Sequence, residues 1–121
     1  MYRVVHFEIS ADEPERAQKF YTEVFGWDIQ HWPGPEDYWL VTTGPNDQPG
    51  INGGIFKRKG PVNYVNTVDV PSIEAAVETI EKNGGKLVVP KRAIPGVGWL
   101  AYCQDTEGNV FGITKEDRTA K

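Results

Sequence analysis

Apolar and polar positions alternate from Val4 to Ile9, which places Val5, Phe7 and Ile9 on one face of a strand and Val4, His6 and Glu8 on the other. The pattern then changes period. Ala17, Phe20, Tyr21 and Val24 fall at helical spacing, with Asp12 as N-cap, Glu15 three residues on and Pro14 in the first turn, and Gly26 ends the helix in the left-handed conformation. Trp27 to Trp32 reads as a second strand. Pro33-Gly34-Pro35 turns the chain, Tyr38 to Thr42 makes a third strand, and the polar loop from Gly44 to Gly50 leads to a fourth, Ile51 to Phe56. The same order recurs after Gly60-Pro61. Asn63 to Val70 reads as a strand, Ser72 as an N-cap, and Ile73, Ala76, Val77 and Ile80 as a buried stripe ended by Asn83-Gly84-Gly85. Lys86 to Val89 follows as a strand and Pro90 to Gly98 as a loop. The stretch from Trp99 to Ile113 closes the chain as a hairpin around Asp105, Thr106, Glu107, Gly108 and Asn109.

The pattern is therefore βαβββ twice, and the two copies align. Glu15 with Glu74, Ala17 with Ala76, Gly26 with Gly85 and Ile29 with Val88 are 59 positions apart, and Gly54-Ile55 matches Gly112-Ile113 at 58. A repeated order of elements points to internal duplication. The expected fold class is α+β, in two modules of residues 1–59 and 60–116 with a tail of 117–121. The helices are expected at Pro14 to Phe25 and Ile73 to Asn83.

Composition narrows the classes. The chain of 121 residues is sized for one domain, and 39% hydrophobic and 25% charged residues are ordinary for a soluble protein. A net charge of −4 argues against a nucleic-acid partner. Lys57-Arg58-Lys59 and Lys91-Arg92, the basic clusters, read as solvated strand ends. No apolar run approaches the length of a membrane span, and the chain enters a strand directly after Met1-Tyr2-Arg3, without the pattern of a signal peptide. The lone Cys103 leaves no internal disulfide and no cysteine-based zinc site, which fits a cytoplasmic location.

Phe20-Tyr21 followed by Phe25-Gly26-Trp27, Gly84-Gly85 after the second helix, Gly96 to Trp99, and Asp105 to Asn109 occur in an order and spacing that resemble the vicinal oxygen chelate superfamily. That superfamily includes glyoxalases, bleomycin-resistance proteins, fosfomycin-resistance enzymes and extradiol dioxygenases. The resemblance runs from Val4 to about Lys115. It implies that each module curls into a half-barrel, that the two enclose a cavity, and that metal-dependent members hold a divalent ion with one side chain each from strands one, four, five and eight.

His6 stands at the first-strand ligand position of that family. The other positions fall at Val65, Gly54 and Gly112, none of which coordinates through a side chain; a slip of two residues on strand five gives Asn63, at best a weak ligand. No metal and no other cofactor is expected. The acid/base candidates are His6 and Glu8, a carboxylate that can raise the imidazole pKa and fix its tautomer. The plain alternative makes His6 a relic bonded to Glu8 or to backbone. Cys103 lacks an identifiable activating base and reads as a small buried hydrophobe, and His31 reads as a surface or half-buried aromatic. A small organic ligand is expected to touch His6, Glu8, Gly54, Asn63, Val65, Thr67, Trp99, Tyr102 and Gly112, with the glycines clearing space. Trp39, Trp99 and Tyr102 line the cavity or pack under the helices, according to register. A bulky residue at Gly112 is expected to abolish binding and leave the fold intact.

Three functions follow: small-molecule binding without a complete metal site; a lyase, isomerase or dioxygenase of the same superfamily; or sequestration of a drug or toxic metabolite, favoured for cationic aromatics by the negative charge. A homodimer is expected, because bare sheet edges invite mispairing.

Overall fold

The computed structural model describes residues 2–34, 37–60 and 64–121. The chain order is β1 (Val4–Ala11), α1 (Pro14–Phe25), β2 (Asp28–His31), β3 (Tyr38–Thr42), β4 (Asn52–Lys57), β5 (Tyr64–Asp69), α2 (Ile73–Lys82), β6 (Lys86–Ile94), β7 (Gly98–Gln104) and β8 (Val110–Glu116). The class is α+β, and βαβββ occurs twice. Strand pairing is mixed: β1 with β4 and β5 with β8 run parallel, and the remaining described pairs are antiparallel. Compactness divides the chain within β1 and β5, grouping Val5–Val65 as one unit and residues 66–121 with the N-terminal residues through Val4 as the other.

In the unit Val5–Val65 the strand order is β2-β3-β4-β1. Register aligns Ile9 with Ile55 and Trp39 with Ile55, so these side chains share the face that α1 covers. With Ala11, Ile29 and Val41 they form the core, against which Phe7, Ala17, Tyr21 and Trp27 pack. Tyr21 and Trp27 stack at 5.2 Å and 8°. The pleat sends His6, Glu8, Tyr38 and Gly54 to the opposite face. Helix α1 begins at Pro14, where the missing N–H costs nothing, and ends at Gly26, whose φ of 73° lets its N–H reach Thr22 O. Its N-cap is Glu13 rather than Asp12, without a side-chain cap bond. Asp12 is engaged elsewhere, accepting from Arg58 at 2.9 Å. The expected apolar stripe is only half used: Ala17 and Tyr21 pack inward, while Phe20 is 57% and Val24 53% exposed.

In the other unit the order is β5-β8-β7-β6. Val70, Ile73, Ala101, Cys103 and Ile113 form its core, with Ala76, Val77 and Ile80 of α2 packed against them. Ser72 caps α2 as expected, its hydroxyl accepting from the Ala75 N–H at 3.1 Å. Ser72→Ala should therefore cost about 1 kcal/mol of stability in denaturant unfolding. The β7–β8 turn is held by Asp105, whose Oδ1 accepts from the N–H groups of Glu107 at 2.8 Å and Asn109 at 2.9 Å. Gly108 takes a φ of 84° there. The loop expected from Pro90 to Gly98 is a correction: β6 continues to Ile94, with register shifts between Leu87 and Val89 and between Val89 and Arg92. Since β6 is an edge strand, a proline and a bulge are accommodated without breaking an inner ladder.

Candidate functional site

On the face of the first unit's sheet away from α1, β1 presents His6 and Glu8 two residues apart, and parallel pairing sets Glu8 beside Gly54 of β4. Leu40 of β3 is Gly54's partner on the other side, so Tyr38, two residues earlier, reaches diagonally across the glycine. A Cβ at Gly54 would run into the Tyr38 ring and hydroxyl. The space expected to be open for a ligand is thus filled by Tyr38. Its hydroxyl lies 2.9 Å from His6 Nε2. If the imidazole is protonated on Nδ1 the phenol donates to it, and in the other tautomer the phenol accepts.

Glu8 is 7% exposed. Burial is the larger influence on His6 and holds its pKa below 6.5; the nearby Glu8 carboxylate opposes the shift without cancelling it. His6 is therefore mostly neutral at pH 7, with one ring nitrogen unprotonated. An unfolded chain, with a histidine pKa near 6.5, binds protons first as pH falls, so His6 makes the folded state lose stability from 6.5 downward, toward its own lower pKa. A titration of the imidazole resonances by NMR should place the His6 midpoint below 6.5, and His6→Gln should flatten that part of the stability profile.

The remaining candidates divide by face and unit. Thr67 and Gly112 are register partners on β5 and β8, and Tyr102 is Gly112's partner on β7, so these three lie together on the side of their sheet away from α2. Gly112 does not open space there either, since a Cβ would stand 2.9 Å from Thr67 Oγ1 and 3.3 Å from its Cγ2. Trp99 is on the opposite side, packed against the core under α2. Its Nε1–H donates to Asp117 Oδ2 at 3.1 Å, and Lys91 Nζ lies 4.4 Å from the ring centroid. Trp39 likewise belongs to the core under α1. Val65 is buried, and Asn63 lies outside the described residues. His31 is exposed beside Asp37, at 3.4 Å, and the Cys103 thiol is buried, with burial raising its pKa.

The donor chemistry does not suit a divalent ion at the positions the resemblance supplies, because Gly54, Val65 and Gly112 offer no side-chain donor and His6 with Glu8 would leave an ion largely to water. Among the described residues no group of three or more His, Cys, Asp or Glu comes together. Two recesses of the first unit lie away from His6. One of about 390 Å³ runs from Ser10 and Arg58 along α1 to Tyr21, and a polar one of about 150 Å³ sits within the loop from Thr43 to Asn52. Tyr38 was absent from the sequence-based site. Its signal was the alternation in β3, where burying Trp39 and Val41 sends Tyr38 to the face of His6.

A family described as bleomycin resistance protein-like N-terminal matches residues 3–44. A glyoxylase-like domain-containing protein of Didymella fabae is 33% identical, over 88% of this chain and 88% of its own. Among solved structures, a Streptomyces coelicolor methylmalonyl-CoA epimerase in complex with 2-nitronate-propionyl-CoA superposes with a TM-score of 0.72 at 12% identity, over 100% of this chain and 99% of that one. A glyoxalase/bleomycin resistance protein/dioxygenase superfamily member from Vibrio splendidus 12B01 gives 0.68 at 16% identity, over 96% of this chain and 100% of that one. At such identities the structural likeness concerns the fold. Among the described residues no helix is long and apolar enough to cross a membrane.

Proposed function

Because the chain belongs to the glyoxalase-like family of the glyoxalase/bleomycin resistance protein/dioxygenase superfamily, we propose that it binds a small organic molecule on the sheet face of His6, Glu8 and Tyr38, without a complete metal site. The observation that carries this reading is the nearly complete burial of Glu8 beside the His6–Tyr38 pair. Withholding a carboxyl and an imidazole from water is costly, and apolar residues at those positions would pack a sheet at no such cost. A face that retains these groups is suited to recognising a polar ligand. The neutral imidazole, with a phenol at hydrogen-bond distance, accepts from or donates to a carbonyl, hydroxyl or carboxylate. Thr67 and Tyr102 supply similar chemistry in the second unit. The lone, buried Cys103 is consistent with a reducing, cytoplasmic setting.

An acid/base reaction is the second reading, favoured by the unprotonated state of His6. Sequestration of a cationic aromatic compound is less supported than its composition suggested, since Trp39 and Trp99 are committed to the cores. The test is a panel of hemithioacetals and catechols assayed with and without added divalent metal. Binding without turnover, indifferent to metal, is the expected result. Metal-independent turnover that falls in His6→Gln selects the second reading, and turnover that requires stoichiometric metal defeats both.

A further inference from the structure

Packing within the chain leaves Phe20 and Val24 of α1 in water, and the residues around them are arranged with a definite polarity. At 3.6 residues per turn, Arg16 and Glu23 fall about 40° and 60° to one side of Phe20, and Val24 and Ala17 about 40° and 60° to the other. We propose that this surface is the docking site for a second copy of the chain, α1 against α1 in antiparallel orientation about a two-fold axis at Phe20. Such an axis carries each residue to the same side of the seam on the partner, with its height along the helix inverted. Arg16 of one copy then lies level with Glu23 of the other to within about 1.5 Å along the axis, and Ala17 level with Val24 equally closely. One side of the seam is charged and complementary, the other apolar. A parallel pairing would carry the charged residues to opposite sides of the seam in the two copies, with Arg16 level with Ala17 and Glu23 with Val24, so the charges select the antiparallel form.

The pairing asks little of the single chain. Glu23 holds no ion pair among the described residues. Among the described residues Arg16 pairs only with Glu13, at 2.7 Å with both side chains largely exposed, an interaction cheaply shared. The recess of about 390 Å³ bounded on α1 by Arg16, Ala17, Phe20 and Tyr21 opens beside the seam and accepts an apolar side chain from the other copy. A seam between two short helices is at the small end of interfaces, so the dimer belongs to the micromolar range.

Sedimentation velocity of the full chain at about 50 µM should give a dimer. Phe20→Asp should give a monomer whose melting temperature matches that of the wild-type chain diluted until it is monomeric, since the residue is exposed in the single chain. Arg16→Glu and Glu23→Arg should each weaken association at least about tenfold, and the double exchange should restore it. A wild-type monomer, a dimer indifferent to Phe20→Asp, or a double exchange that remains dissociated would overturn the proposal.

Discussion

Replacing Ile55 by Ala is expected to lower the unfolding free energy by about 2–5 kcal/mol, a large share of a small domain's stability. Ile55 is 0% exposed and is the register partner of both Ile9 and Trp39, at the centre of the core under α1. Removing its outer carbons leaves a void that neighbours fixed by strand pairing close only in part. Urea unfolding monitored by tryptophan fluorescence measures the change. A loss under 1 kcal/mol would mean that this core is not packed as described.

The second large effect concerns Gly112, and it reverses an expectation from sequence. Gly112→Leu is expected to destabilise the fold by about 1–3 kcal/mol, beyond any effect on binding. The added Cβ meets Thr67 at 2.9 and 3.3 Å, and Thr67 is itself buried, so relief requires a shift of β5 against β8. Gly54 differs because the atoms in the way belong to the far end of Tyr38, a half-buried side chain that can swing aside. Gly54→Ala should therefore cost less stability and should break the His6–Tyr38 hydrogen bond, moving the His6 midpoint toward 6.5 as water reaches the ring. Thermal melts of the two variants, with the His6 titration, separate these outcomes.

Those two glycines show where sequence reading reached and where it stopped. The helix from Pro14 to Phe25, the Ser72 cap and the Asp105 turn were legible because each rests on local chemistry within a few residues. So was the repeated βαβββ order, which depends on alternation and spacing alone. The far half of β6 was not legible, because Pro90 and Gly96 are loop signals, and only its place at a sheet edge makes a bulged strand tolerable there. Helical spacing put Phe20 and Val24 on a stripe with Ala17 and Tyr21, yet spacing says which residues are neighbours and not how deep each lies.

The candidate site meets the same kind of boundary. Parity alone placed His6 and Glu8 on the face away from α1, and the structure agrees. What fills the space above Gly54 depends on the register of β3 against β4, which brings Tyr38 across from the strand that also carries Trp39. The outward or inward facing of Trp99 depends likewise on pairing with β8.

The proposed function has the His6, Glu8 and Tyr38 face taking a small organic ligand without help from a metal. The most direct measurement is NMR mapping of the chelator-treated protein against a fragment set of aromatic acids, catechols and thioesters. Saturable shifts of the His6 imidazole and Tyr38 ring resonances are expected, with the tautomer of His6 fixed on binding. Fragments that move only residues of α1 or the Thr43 to Asn52 loop, or that bind only after a divalent metal is restored, would contradict it.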